Sequence, residues 1–589
     1  MPPVRRGLPG AAARLALLVG VAACARLTAT PSPIPADALP RRLVLALDGI
    51  DYRDLAAQHG AGRFAGFRPP SRLVSTFPSI SDVAWHDILG LLPPAGYQRV
   101  YFSHATGGLV GRPIDAITPI EYEERMDQAF GGRFHHLSAY LISGRVARQE
   151  VDEVVEAFWR TRGRATVYAY NVGPDALQHT RGDLEGYLRH LDRRLATLQR
   201  DYRARTGRPL EIVLLSDHGH NRAVGANFLP LVEALADAGF RVRGRLEAPE
   251  DVALSVDGVT TGFGIFAAPT VVDRVAHTVA DVAGVDVVTW QGEGGRIHVR
   301  QGRAVGMIER DPRAPSRLAW RVSSGDPLAH AAVVQRLARD GRLDAEGFAE
   351  DSVWVRASLD APYPAALPRI VRGHEVITLN PAPILVSVAA TARVGFGMVS
   401  VANRLRPLGG THGALDTSSA LGVVMTTFRD THDDVTWRVR AQLDDFADLD
   451  EPHGGTTAVR LTTGTRLVAD PRGHFRAVAL PDDARGAGLL VRLDDPALDD
   501  ATPLIIEVRR PVRGLPDVVT VARAATTLGV ALSGDGPAPR FLPLSPLGLA
   551  LPSNAAVALH LFVGGDGEGA RAYPPVAART DGAGRVVVP

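Results

Sequence analysis

The chain contains no lysine, and all 65 of its basic residues are arginine. A Walker A phosphate loop, a protein-kinase active site and a Schiff-base or pyridoxal-phosphate site each need a lysine, so all three are excluded. Cysteine is nearly as scarce. Cys24 stands alone, which rules out a disulfide within the chain, a cysteine zinc ribbon and a dithiol redox pair. Excess charge is also missing. The formal net charge is +1 over 589 residues, so there is no electrostatic footprint for a nucleic acid polymer. No Gly-x-Ser-x-Gly occurs, and with it goes the nucleophile elbow of the α/β-hydrolases. The apolar run at residues 15–23 is too short for a membrane span.

What is present is globular. The chain is 46% hydrophobic and 22% charged, and its length calls for two or three domains. Arg5, Arg6 and Arg14 precede the apolar run LALLVGVAA at 15–23, the layout of a secretory signal. The run closes on Val21, Ala22, Ala23 and Cys24, which resembles a bacterial lipobox. That resemblance implies a signal peptide over 1–23, lipid on Cys24, and a tether rich in Pro, Ala and Thr over 24–41. The protein is then exported and membrane-anchored, on the periplasmic or outer side of the cell. An ordinary signal peptide with a chance cysteine is the alternative.

Five later segments carry residues suited to chemistry. Residues 210–220 read LEIVLLSDHGH, a buried-strand run that breaks into Asp217 and His218. Residues 43–49, LVLALDG, end likewise on Asp48. Residues 77–82, FPSISD, place Ser81 just ahead of a helical pattern over 82–90. Residues 170–179, YNVGPDALQH, set Asp175 and His179 four apart, on one face of a helical turn. Residues 410–413, GTHG, carry His412. Carboxylates and imidazoles are zinc-type ligands, and the carboxyl ends of buried parallel strands are where open α/β sheets bind ligands. Each segment alone is equally a polar turn. Ser81 by itself is an N-cap or a nucleophile, with Ser79 as the rival.

Read in chain order, the five segments resemble the alkaline phosphatase superfamily, closest to its type I phosphodiesterase/nucleotide pyrophosphatase branch, over about residues 42–430. The resemblance implies an α/β fold, an alkaline-phosphatase-like mixed sheet with helices on both faces. It places a catalytic domain over 42–432 with an inserted α+β cap at about 250–375. It makes Ser81 the nucleophile. Asp48, Asp217 and His218 would hold the ion that activates Ser81, and Asp175, His179 and His412 a second, both divalent and zinc-like. Two positions depart from the family: Asp82, often Asn or Phe there, and Gln178, usually Gly. The implied activity is hydrolysis of phosphodiester or pyrophosphate bonds in a small-molecule or lipid-linked phosphate ester. A phosphomonoesterase, a phosphomutase and an inactive surface-binding lipoprotein are the alternatives. A formylglycine sulfatase is excluded, because Arg68 heads the segment 68–72, RPPSR, where Cys or Ser is needed.

Apolar spacing predicts helices over 141–160 and 183–203. His190 and Asp192 read as structural, His220 as pocket lining, and Asp51 as a solvated turn residue. Arg72, Arg99 and Arg181 lie near the motifs and read as surface. Alternating patterns at 285–290, 296–300 and 304–309 predict hairpins of the cap, and short strands over 433–589 a β-sandwich-like domain.

Overall fold

A computed structural model of the chain describes residues 39–443 except 92, 105, 112–120, 125, 130–138, 140–141, 223–226 and 396–408, and beyond 443 chiefly strands between 459 and 587. The signal segment, Cys24 and the tether up to residue 38 lie outside the described residues.

The first sheet has seven strands. They are β1 (Arg42–Leu47), β2 (Ser71–Val74), β3 (Gln128–Ala129), β4 (Thr166–Asn171), β5 (Glu211–Ser216), β6 (Leu421–Thr426) and β7 (Asp434–Val435), in the order β7-β2-β6-β5-β1-β4-β3. β1 runs parallel to both neighbours, β4 and β5, while β6 is antiparallel to β5 and β2. Leu47 pairs with Asn171 and Ala46 with Leu215. This register brings the carboxyl ends of β1, β4 and β5 level, so Asp48, the segment after Asn171 and Asp217 share one edge.

Both faces of the sheet are covered, which is why these strands read as unbroken apolar runs. Leu43, Leu45, Leu47, Val167, Ile212 and Leu214 pack beneath α3 (Ser143–Arg160) and α5 (Leu184–Thr206). The alternate residues Val44, Ala46, Tyr168, Val213 and Leu215 pack against Trp85 and Ile88 of α2 (Ser81–Leu89). The helix expected over 183–203 starts with Asp183 as its cap, accepting from the Gly186 amide, and runs on to Thr206. Asp51 is not solvated. It is buried, caps α1 (Tyr52–Gly60) by accepting from Arg53 N at 2.7 Å, and pairs with the Arg53 guanidinium. An acid beside a helix start is drawn in by the unpaired amides there.

The chain between β5 and β6 builds a nine-stranded sheet. Val285–Gln291, Ile297–Gln301, Ala304–Asp311 and Ala314–Ser324 form the expected antiparallel meander. The sheet is wider than 250–375, for it begins at Arg241–Val242 and takes in Ile384–Val388 between Val285–Gln291 and Gly262–Ala267. Beyond 459 the described strands pair antiparallel, the longest being Pro503–Pro511, Val518–Thr527 and Ala556–Val563.

Candidate active site

Two turns are locked together at the shared edge. After Asp48, Gly49 turns the chain with φ +67. Its amide donates to Asp217 Oδ1 at 3.1 Å, and the Ile50 amide donates to Ser216 Oγ at 2.7 Å. Glycine is needed twice over. The left-handed φ disfavours a β-carbon, and one placed there would sit 3.1 Å from both Asp175 Oδ1 and His220 Cδ2.

Ser81 is the first residue of α2. Ile80 is the N-cap and supplies no side-chain bond, so Ser81 is not acting as a cap. Its Oγ instead donates to Asp48 Oδ1 at 3.0 Å and lies 3.0 Å from His218 Nε2. Asp48 Oδ2 accepts from the Tyr170 hydroxyl, which fixes the carboxylate's orientation. Ser79 points elsewhere. Its buried Oγ lies 3.0 Å from Thr76 O and 2.9 Å from Ala414 O, and accepts from Arg369 Nη2 at 3.0 Å.

The other side of the cleft is rich in imidazole. The short helix α4 (Gly173–His179) sets Asp175 and His179 one turn apart, with His179 Nε2 3.4 Å from Asp175 Oδ2. His220 Nε2 lies 2.6 Å from Asp175 Oδ1, and His412 Nε2 3.6 Å from the same oxygen. Three backbone carbonyls orient the rings. Gly410 O lies 2.9 Å from His179 Nδ1, Ser79 O 2.9 Å from His412 Nδ1, and Gly219 O 3.0 Å from His218 Nδ1. An imidazole that donates from Nδ1 to a carbonyl presents the Nε2 lone pair, the usual preparation of a metal-ligating histidine. The His218 and His412 rings stack at 3.9 Å.

Electrostatics distinguish the two sides. Burial, then repulsion from Asp217 and Asp175, holds the Asp48 carboxyl well above the usual range. Burial pushes Asp217 up to about 7. Asp175 is opposite. Burial opposes its ionisation, but His179, His220 and His412 outweigh it and hold its carboxyl well below the ordinary value. Burial lowers His218 and His412, and takes His220 down to about 3.

These residues fit divalent ions. Ligand atoms of Asp48, Asp175 and His218 all lie within 4.8 Å of one another, as do those of Asp175, His179, His220 and His412. Asp217 Oδ2 is buried without a hydrogen-bond partner, 3.3 Å from His218 Nε2. His220 Nδ1 is likewise unpartnered. A buried acceptor left unpaired is costly, and a cation beside Asp217 relieves it. The seven residues singled out in the sequence therefore converge, and one more joins them. Asp175 belongs to both groups, and His220, expected only to line the pocket, joins the second. The spacing of His220 two residues beyond His218 was the available signal. Tyr170 gave none, since in a buried strand it reads as one more core aromatic.

The departures have structural roles. Gln178 Nε2 donates to Gly49 O at 2.5 Å, and its Oε1 accepts from Arg222 Nε at 3.0 Å, so it braces the turn after Asp48. Burial pushes Asp82 up to about 6 against the opposing charge of Arg99, so it still carries most of its charge near neutral pH. Arg72 is engaged by Asp433 and Asp360.

No family model matches the chain, and no curated protein matches it. Among solved structures it is similar to human ectonucleotide pyrophosphatase/phosphodiesterase 5, at 10% identity over 70% of this chain and 97% of that one, with a TM-score of 0.38.

Proposed function

We propose that the protein is a metal-dependent hydrolase of phosphodiester or pyrophosphate bonds with Ser81 as nucleophile. The observation that carries this reading is Ser81 Oγ at the start of α2, 3.0 Å from both Asp48 Oδ1 and His218 Nε2. Asp48, Asp217 and His218 would hold one zinc-like ion, and Asp175, His179, His412 and His220 a second. Such ions lower the pKa of a coordinated hydroxyl and neutralise charge on phosphoryl oxygens. The chain's own part is placement. The first amides of α2 have no intrahelical acceptor and favour an anion in front of Ser81. The Oγ–phosphorus bond forms as the bond to the leaving oxygen breaks, and water then cleaves the phosphoseryl intermediate. A comparison of a nitrophenyl diester with the matching monoester tests the substrate class. The diester is expected to have the higher kcat/KM, and a strong monoester preference overturns that choice. Full activity after prolonged dialysis against a strong chelator overturns the metal-dependent reading.

The anchor is a separate proposal, supported by the run that Cys24 closes. Among the described residues no helix is long and apolar enough to cross a membrane. The mature protein is expected to begin at Cys24 and to partition into detergent, and Cys24→Ala to release it or block maturation. A mature N-terminus well downstream of Cys24 overturns this.

A further inference from the structure

The helix α6 (Ala366–Glu375) belongs to the chain inserted between β5 and β6, yet it packs on the loops that carry the candidate site. Leu367, Ile370 and Val371, at helical spacing, share a buried cluster with Phe77 and Ile80 and with Leu415. The approach is close, for a β-carbon on Gly373 would collide with Phe77 O. Arg369 sits in this contact at 0% exposure. A guanidinium there is costly unless its N–H groups find acceptors, and both Nη atoms are fully engaged. Nη1 donates to Leu415 O at 2.7 Å and to Pro364 O at 3.0 Å. Nη2 donates to Thr76 O at 2.9 Å and to Ser79 Oγ at 3.0 Å. None of these acceptors is a carboxylate. What they require is a planar fork that reaches three separate stretches of chain.

Two of those stretches end on candidate site residues. Thr76 and Ser79 lead into Ser81, and Leu415 follows His412. The β2–β6 ladder stops at Val74 and Leu421. Past it, the two loops meet through Ser79 and Arg369. The Ser79 amide donates to Gly413 O at 3.0 Å, Ser79 O lies 2.9 Å from His412 Nδ1, and Ser79 Oγ lies 2.9 Å from Ala414 O. Arg369 closes over this seam from the insertion side. The His412 ring stacks on His218, whose Nε2 lies 3.0 Å from Ser81 Oγ. A slip of either loop therefore reaches the serine and both groups of ligands.

We propose that Arg369 is a positioning residue for the cleft: its guanidinium, held on the inserted helix α6, sets the spacing between the Ser81 loop and the His412 loop. This rests on the reading of the cleft as a metal-dependent phosphoryl-transfer site. None of the four bonds goes to Ser81 or to a ligand residue, so Arg369 acts only through the loops. A misplacement of about 1 Å can cost about 100-fold in rate, and loss of a support behind a metal ligand about 10- to 100-fold in metal affinity. Lysine keeps the charge but puts its three donors on one nitrogen, which cannot span the same acceptors. Ser79→Ala leaves Thr76 O and the backbone bonds in place, so it weakens the seam without opening it.

The test compares Arg369→Met and Arg369→Lys with Trp354→Phe in the zinc-loaded full chain, on bis(nitrophenyl) phosphate, well below each melting temperature. Trp354 is buried in the same insertion and donates to Leu318 O at 2.9 Å, away from both loops, so its variant controls for lost stability alone. Arg369→Met is expected to lower kcat by about 10- to 100-fold with KM changed by less than about threefold. Arg369→Lys should lose less, and Trp354→Phe should lower the melting temperature with kcat near wild type. Zinc titration of the ion-free chains against a chromophoric chelator should show the second ion bound about tenfold or more weakly in both Arg369 variants. A kcat loss in Arg369→Met no larger than that in Trp354→Phe makes Arg369 structural and overturns the proposal. If Arg369→Met does not fold, Arg369→Lys decides by the same comparison, and wild-type kcat there overturns it. If the wild-type chain cleaves neither the diester nor a nitrophenyl monoester, the hydrolase reading fails. The zinc titration then decides alone: a weakened second ion upholds the loop spacing, and unchanged affinity overturns it.

Discussion

The two sides of the cleft are built from different parts of the fold and carry opposite protonation burdens. The Ser81 side comes from the ends of β1 and β5 and the start of α2. It holds two carboxylates, Asp48 and Asp217, that burial pushes toward the neutral form, with repulsion from Asp217 and Asp175 adding at Asp48 and from Asp175 at Asp217. The imidazole side comes from α4 and the loops around His220 and His412. Its one carboxylate, Asp175, is kept ionised by the rings around it. On the metal-dependent reading, the difference implies that ion binding is linked to proton release on the first side, while on the second the carboxylate is already ionised.

The largest effect expected is at Ser81. Ser81→Ala should lower kcat by about a thousandfold or more, as loss of a nucleophile does, with metal content retained. Ser79→Ala should act on stability instead. It removes one of the two acceptors of Arg369 Nη2, leaving Thr76 O, a loss of about 1–3 kcal/mol for a buried N–H left unpaired, read as a lowered midpoint in urea. A Ser79→Ala loss as large as that of Ser81→Ala would reverse the assignment of the nucleophile.

Asp175 tests whether the two sides are coupled. Its oxygens reach both ligand groups, so Asp175→Ala is expected to strip nearly all bound metal, whereas Asp217→Ala should leave about one ion per chain on the imidazole side. Metal analysis after gel filtration distinguishes them. Identical metal content in the two variants would count against a shared Asp175. Tyr170→Phe comes next in size. The hydroxyl orients Asp48, and loss of such a support typically costs 10- to 100-fold in metal affinity. Competition with a chromophoric chelator measures it, and unchanged affinity would mean that Asp48 is oriented without Tyr170.

The same contrast explains what could be read from the sequence. Asp48 and Asp217 were legible because a buried parallel strand announces itself as an apolar run, and an acid at its end is conspicuous. Ser81 was legible from its place before a helical pattern. The sharing of Asp175 was not, because a spacing of four puts Asp175 and His179 on one helical face but does not say what else that face meets. His220 could be placed only near the pocket. Its contact with Asp175 depends on the turn after Gly219. The cap was underestimated for a related reason. Ile384–Val388 enters its sheet between two strands that precede it by long stretches of chain, and no local pattern encodes that pairing.

The smallest effect separates the two sides by pH. On the Ser81 side the Asp217 carboxyl sits at about 7 and Asp48 is raised as well. Below pH 7 the ion-free site therefore holds protons that an incoming ion must displace, since only the carboxylate coordinates. His218 is lowered well below its ordinary value, so it stays neutral through this range and contributes no proton. Affinity on this side should fall by about tenfold per pH unit below 7 for the proton displaced from Asp217, with more protons released per ion at pH 6 than at pH 8. Asp175, held ionised, releases no proton on ion uptake at either pH. Titration of the ion-free protein at pH 6 and pH 8, in buffers of different ionisation enthalpy, counts the protons directly. Uptake without proton release at pH 6 would mean that Asp48 and Asp217 are already ionised in the ion-free chain, and the contrast between the two sides would disappear.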